Sequence, residues 1–251
     1  MPKADAPQLR LFVFHHSGGS HLMYRDWPSH FPANWDVQIP DAPGRGPHDR
    51  RPPLMDAGAL IEYFLHELDS RLSNRFAFFG HSLGGMVAYE LTRRLIGLGR
   101  TPPVWLGVSA RGTLHPDGDG TSRHALSDAE LRGELVAMGG TAPSVLDHQE
   151  LWALFAPTIR SDLRISETWR TEPLTEPLPV PLSVFGGTRD HIAPPHRLDG
   201  WAAASRRFMG LHLFDGGHFY FKDRLPEVSE RIQDDVCRAL LPAGPTSAVA
   251  R

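Results

Sequence analysis

The chain has 251 residues, with 26 Lys or Arg against 29 Asp or Glu and a net charge of -3 at pH 7. Hydrophobic residues make up 41% and charged residues 22%, a balance that excludes a disordered chain and a protein built over its whole surface to hold nucleic acid. One cysteine, Cys237, excludes a disulfide framework and a multi-cysteine zinc site, and the histidines show no HExxH spacing, so neither metal nor cofactor is expected.

Folding a chain of this length as one domain buries roughly 70–75% of its unfolded surface, enough to need no staple. A single α/β domain over 1–251 is expected, with its core at about 8–110 and 180–242, a helical insertion at about 111–179, and a flexible tail at 243–251. No stretch approaches the ~18–20 apolar residues of a membrane span. Residues 1–14 hold only the short apolar run Leu11-Phe-Val-Phe14, which is no signal-peptide h-region. A soluble, cytoplasmic protein follows as the expectation.

In chain order, Leu9-Arg-Leu-Phe-Val-Phe14 reads as a strand that ends in the small, polar stretch His15-His-Ser-Gly-Gly-Ser20. Val37-Gln-Ile39 is a weaker strand closed by Pro40. Leu60, Ile61, Phe64, Leu65, Leu68 and Leu72 recur at i, i+3/i+4, which predicts an amphipathic helix over 56–71. Phe76-Ala-Phe-Phe79 follows as a buried strand and 86–98 as a helix closed by Gly99. Val104-Trp-Leu-Gly-Val108, Leu182-Ser-Val-Phe185 and Leu211-His-Leu-Phe214 are further strands. Val228, Ile232, Val236 and Leu240 give the last helix its apolar stripe. Strands alternating with helices predict a mostly parallel sheet covered on both faces.

Residues 111–179 break that rhythm. They carry a capping box at Ser127-Asp-Ala-Glu130, helical patterning through Met138, and a second helical run near 151–169. Their apolar residues Leu131, Leu135, Met138, Leu151, Trp152, Leu154 and Phe155 are more than the insertion is expected to bury alone. Some should pack on the core and others line a substrate channel beneath a lid.

Gly80-His-Ser-Leu-Gly84 is a GxSxG set directly between a strand and a helix. In that context the glycines permit a sharp turn that holds Ser82 exposed above the sheet edge, facing the helix amides. A serine nucleophile needs a base, and the base an orienting carboxylate. Asp190, in Gly186-Gly-Thr-Arg-Asp190, and His218, in Gly216-Gly-His218, each follow a predicted strand in the chain order Ser, acid, His. Asp215 is a weaker rival for the acid because it lies too close along the chain to His218. His81 reads as packing at the elbow rather than as a catalytic group. An oxyanion hole requires preorganised N–H donors: the Leu83 amide is one, and the loop His15-His-Ser-Gly-Gly-Ser20 is placed to supply the other.

The chain resembles the type II thioesterases of polyketide and nonribosomal peptide synthesis, members of the α/β-hydrolase superfamily, over roughly residues 11–240. The resemblance rests on Phe14-His-His-Ser-Gly-Gly-Ser20, Pro43-Gly-Arg-Gly46, Gly80-His-Ser-Leu-Gly-Gly85, Leu126-Ser-Asp-Ala-Glu-Leu131, Gly139-Gly-Thr141, Ile159-Arg-Ser-Asp162, Gly186-Gly-Thr-Arg-Asp190 and Gly217-His-Phe-Tyr220. His15-His16 stand where the family usually has Pro-x, and His191 where it usually has Pro.

The resemblance implies an α/β-hydrolase fold and a stand-alone editing thioesterase that frees acyl groups from the phosphopantetheine thiol of acyl or peptidyl carrier proteins through an acyl-enzyme. It implies Ser82 as nucleophile, His218 as base, Asp190 as orienter, and the Ser17 and Leu83 amides as oxyanion donors. It also implies a monomer that meets carrier domains, with no nucleic acid, membrane, cofactor or metal. Two alternatives share these residues: a carboxylesterase or lipase acting on small esters, and a non-catalytic hydrolase-like binding protein. Because carrier proteins are generally acidic while this chain is nearly neutral, local basic patches at Arg45, Arg50 and Arg51 and at Arg160, Arg164 and Arg170 are the expected contacts.

Overall fold

The computed structural model describes residues 8–46, 51–113, 122–170 and 176–241. Six strands, β1 (Leu9–Phe14), β2 (Trp35–Gln38), β3 (Phe76–His81), β4 (Leu106–Ser109), β5 (Leu182–Gly187) and β6 (Phe208–Phe214), form one sheet in the order β2-β1-β3-β4-β5-β6. Every neighbouring pair is parallel.

Alternation along the strands explains why both faces are covered. In β1, Leu9, Leu11 and Val13 pack on one side with Ala77, Phe79, Trp105 and Phe185. Phe12 and Phe14 pack on the other side with Phe76, Phe78, Leu106 and Val184. A sheet apolar on both faces must be sandwiched between helices. Helices α1 (Ala57–Leu68) and α2 (Leu83–Gly97) cover the Phe14 face, and α6 (Phe221–Leu240) covers the Val13 face. Asp56 caps α1 by accepting from the Ala59 amide at 2.9 Å, which sharpens the predicted 56–71 boundary. The helix expected at 86–98 starts earlier, at Leu83, directly after the serine.

The insertion folds as α3 (Asp128–Met138), α4 (Pro143–Asp147) and α5 (Gln149–Thr168). The capping box forms as expected, with Ser127 and Glu130 each satisfying the other's backbone amide. The expectation for the insertion's apolar residues holds at Met138, which packs against the main core and lines the cavity described below, and needs correcting at the other six. Leu131, Leu135 and Trp152 join Leu146, Ala156, Ile159 and Leu163 in a core that belongs to the insertion itself. Leu151, Leu154 and Phe155 stay exposed. A third helix, α4, supplies the extra surface that lets the insertion bury this cluster. The C-terminal half of α5 differs, because Ile165 and Trp169 enter the main core.

The strand order reverses direction at β1, so β2 and β3 lie on opposite sides of it. Chain segments leaving β1 and β3 then diverge to opposite faces and open a crevice at the carboxyl ends of these two strands. The loop 15–20 follows β1 and the turn at Ser82 follows β3. Among the described residues no helix is long and apolar enough to cross a membrane.

Candidate active site

The turn from β3 into α2 leaves Ser82 at φ 56° and ψ -113°, backbone that a residue with a Cβ rarely adopts. Close approach explains both glycines of the motif: a Cβ on Gly80 would come within 1.9 Å of the Gly84 carbonyl oxygen, and one on Gly84 within 2.1 Å of the Phe14 carbonyl oxygen. The Ser82 amide is tied to the Ser109 carbonyl at 2.8 Å. Leu83 opens α2, where the first amides have no intrahelical acceptor and present a partial positive charge.

Asp190 and His218 leave the ends of β5 and β6 and meet, His218 Nδ1 lying 2.8 Å from Asp190 Oδ2. Both are buried. The other carboxylate oxygen accepts from the Ile192 and Ala193 amides at 2.8 and 3.0 Å. Burial alone would raise the Asp190 pKa, but the imidazole and the two amides outweigh it and hold the carboxyl below its ordinary value. An ionised carboxylate only accepts, so Nδ1 carries a hydrogen, and in the neutral imidazole Nε2 is then the bare nitrogen. That Nε2 is buried and has no hydrogen-bond partner among the described residues.

His218 and Ser82 line one cavity of about 340 Å³, together with His16, Ser17, Phe219 and Met138. Arg111, Arg197, Trp169 and Glu167 also line it. The three chain segments expected to converge do so, and Ser17 of the β1 loop comes with them. Asp215 is instead paired on the surface with Arg189 and Arg224.

His81 is fully buried, its Nδ1 2.8 Å from Ser109 Oγ, which in turn lies 2.7 Å from the Tyr220 hydroxyl. Its ring packs 5.1 Å from that of His218. Burial first, then the neighbouring His218 charge, push its pKa well below the ordinary imidazole value.

The expected basic patches need correcting at Arg45, while Arg51, Arg164 and Arg170 are exposed. Arg45 is buried and forms a bidentate ion pair with Asp162 at 2.7 and 2.8 Å, so it is no surface contact. Arg160 is pinned by the His124 and Leu126 carbonyls and Asp128. Arg51 lies over the Tyr63 ring, Arg170 donates to the Glu167 and Trp169 carbonyls, and Arg164 is exposed. Arg50 falls outside the described residues.

Sequence reasoning missed His16, Phe219 and Arg197 as cavity residues, because nothing in their spacing marks them, whereas Met138 was among the insertion residues expected on the core or in a channel and does line the cavity. The Arg45–Asp162 pair had a signal, since both residues sit in motifs that carry the family resemblance, but sequence alone does not say that the two motifs touch.

The parallel sheet, the elbow at Ser82 and the helices on both faces define an α/β-hydrolase. The chain belongs to the thioesterase family, whose domain model matches residues 9–236. Thioesterase PikA5 of Streptomyces venezuelae is 31% identical over 229 residues, covering 90% of this chain and 80% of that protein. The gramicidin S biosynthesis protein GrsT of Aneurinibacillus migulanus is 28% identical over 226 residues, 90% of this chain and 88% of that one. Among solved structures, the type II thioesterase BorB from the borrelidin biosynthetic cluster superposes with a TM-score of 0.82 at 32% identity, over 94% of both chains. The chain is thus a thioesterase of the type II group found in polyketide and nonribosomal peptide pathways.

Proposed function

We propose that this thioesterase acts alone on acyl groups carried on the phosphopantetheine thiol of carrier proteins, using Ser82, His218 and Asp190. The observation that carries this reading is the bare, buried Nε2 of His218 on a ring that lines the same cavity as Ser82. Substrate entering there meets the serine and the base together. Ser82 Oγ attacks the thioester carbonyl carbon while Nε2 takes its proton. The resulting oxyanion is received by the Leu83 and Ser17 amides. Collapse breaks the C–S bond, the proton on Nε2 passes to the leaving sulfur, and a water activated by the same nitrogen then frees the acyl group from Ser82. Because a thiolate leaves readily, acid catalysis matters less here than it does for an amide.

Arg197 supports a phosphopantetheine arm. It lines the cavity from an exposed position, and its guanidinium pairs with no carboxylate among the described residues, so it can meet the arm's phosphate. The test is the ratio of kcat/KM for an acyl carrier protein to that for a free p-nitrophenyl ester of the same acid. The proposal requires the carrier substrate to win by tenfold or more, whereas parity would point to a general carboxylesterase.

A further inference from the structure

Each peptide flanking Ser17 is held by hydrogen bonds. The Ser17 N–H shares its peptide plane with the His16 carbonyl, and that carbonyl accepts from the Gly19 amide and from His15 Nδ1, both at 2.9 Å. With its oxygen so engaged, the plane presents the Ser17 N–H on the opposite side. The next peptide is fixed from a different part of the chain: the Gly18 amide donates to Asp162 Oδ2 at 2.7 Å across 144 residues. Asp162 lies on α5, and α5 rests against the loop so closely that a Cβ on Gly18 (φ 74°) would meet Ile159 Cγ1 at 2.8 Å. Arg45 completes the arrangement. It grips both oxygens of Asp162 and donates to the Gly19 carbonyl at 3.0 Å and, through Nε, to the Ala42 carbonyl at 3.0 Å.

A buried ion pair is seldom retained for stability, since apolar residues of similar volume often do as well. Accepting from a backbone amide is something an apolar residue at 162 cannot do. We infer that Asp162, itself held by Arg45, is a positioning residue that sets the loop 16–19, and with it the Ser17 amide, for the developing oxyanion. The hydrolase core therefore draws part of its oxyanion geometry from the insertion. This inference rests on the reading of Ser17 as an oxyanion donor.

Breaking the pair from one side would strand a buried charge, so the informative variants neutralise both residues. Arg45→Met/Asp162→Leu removes pair and acceptor, whereas Arg45→Met/Asp162→Asn removes the pair but keeps a carbonyl for the Gly18 amide. Misplacing an oxyanion donor costs about 10²-fold in rate. The Leu double variant is expected to lose about that much kcat with KM within threefold, and the Asn double variant to be at least tenfold faster than it. Equal kcat for the two overturns the inference, as does wild-type kcat for the Leu form. Asp162→Glu keeps the charge balance while displacing the carboxylate, and decides the matter if the Leu form does not fold. It should lose at least tenfold in kcat at a near-wild-type Tm, and full activity would overturn the inference. Fluorophosphonate labelling of the wild type separates the two levels. Failure to label Ser82 would refute the proposed function, while labelled Ser82 with indifferent variants would refute only the role of Asp162.

Discussion

Asp190 spends one oxygen on His218 Nδ1, at 2.8 Å, and the other on two backbone amides, so the imidazole meets a carboxylate that cannot turn away from it. The ring's tautomer and orientation are fixed before substrate arrives. Asp190→Asn should break this arrangement, because an amide can donate to Nδ1 and favour the wrong tautomer. A loss on the order of 10⁴ in kcat is expected. Asp215→Asn, at a surface carboxylate that meets Arg189, Arg224 and the Thr188 hydroxyl, should stay within a few-fold of wild type. Steady-state rates of the two variants decide the assignment, and the reverse ranking would transfer the role to Asp215.

The two carboxylates also show what the sequence makes legible. Ser82, Asp190 and His218 each stand just past a strand whose apolar run is plain in the sequence, and in a parallel sheet those ends share one edge. Arg45 was illegible for the opposite reason. Arginines are mostly exposed, so a surface patch was the natural expectation, and only contact between two distant motifs reveals a buried partner at Asp162. The insertion's apolar residues misled in a similar way. Their number was readable, but whether Leu131 and Trp152 face each other or the core depends on how three helices pack.

A second prediction concerns acid. His15, His16 and His81 are all buried beside the site, and their pKa values are lowered, that of His15 to about 4. Burial is the main cause in each, helped at His15 by the Arg45 charge and at His16 by the His15 charge. Unfolded, each would protonate near 6.5. The unfolded state therefore binds more protons below that pH, so stability is full above it and falls as pH drops toward 4. Asp190, with its lowered pKa, loses its own contribution only below the ordinary carboxylate range. Urea unfolding at pH 7 and pH 4.5 should show a clear drop. A flat profile would mean that the three rings are protonated when folded.

Cavity shape gives a third. Met138 is the end of α3 and lines the cavity near Phe219. Met138→Trp should narrow the cavity and depress octanoyl turnover far more than acetyl turnover, by roughly fourfold per excluded carbon at ~0.8 kcal/mol per methylene. Measuring kcat/KM over a chain-length series checks this. A uniform decrease would remove Met138 from acyl selection.

Arg197 gives a fourth. An exposed ion pair is worth up to about 1 kcal/mol, so Arg197→Gln should raise KM for phosphopantetheinyl thioesters by as much as about fivefold. Thioesters of N-acetylcysteamine, which lack the phosphate, should be unaffected. Equal increases for both substrates would place the damage at the site itself.

The most direct measurement is mass spectrometry of the enzyme quenched during turnover of an acyl carrier protein, with Ser82→Ala as its companion. The account predicts an acyl adduct on the peptide bearing Ser82, and in the variant no adduct, a fold as stable as wild type and a kcat lower by on the order of 10⁶. Turnover by Ser82→Ala within tenfold of wild type, or an adduct on any other residue, would contradict it.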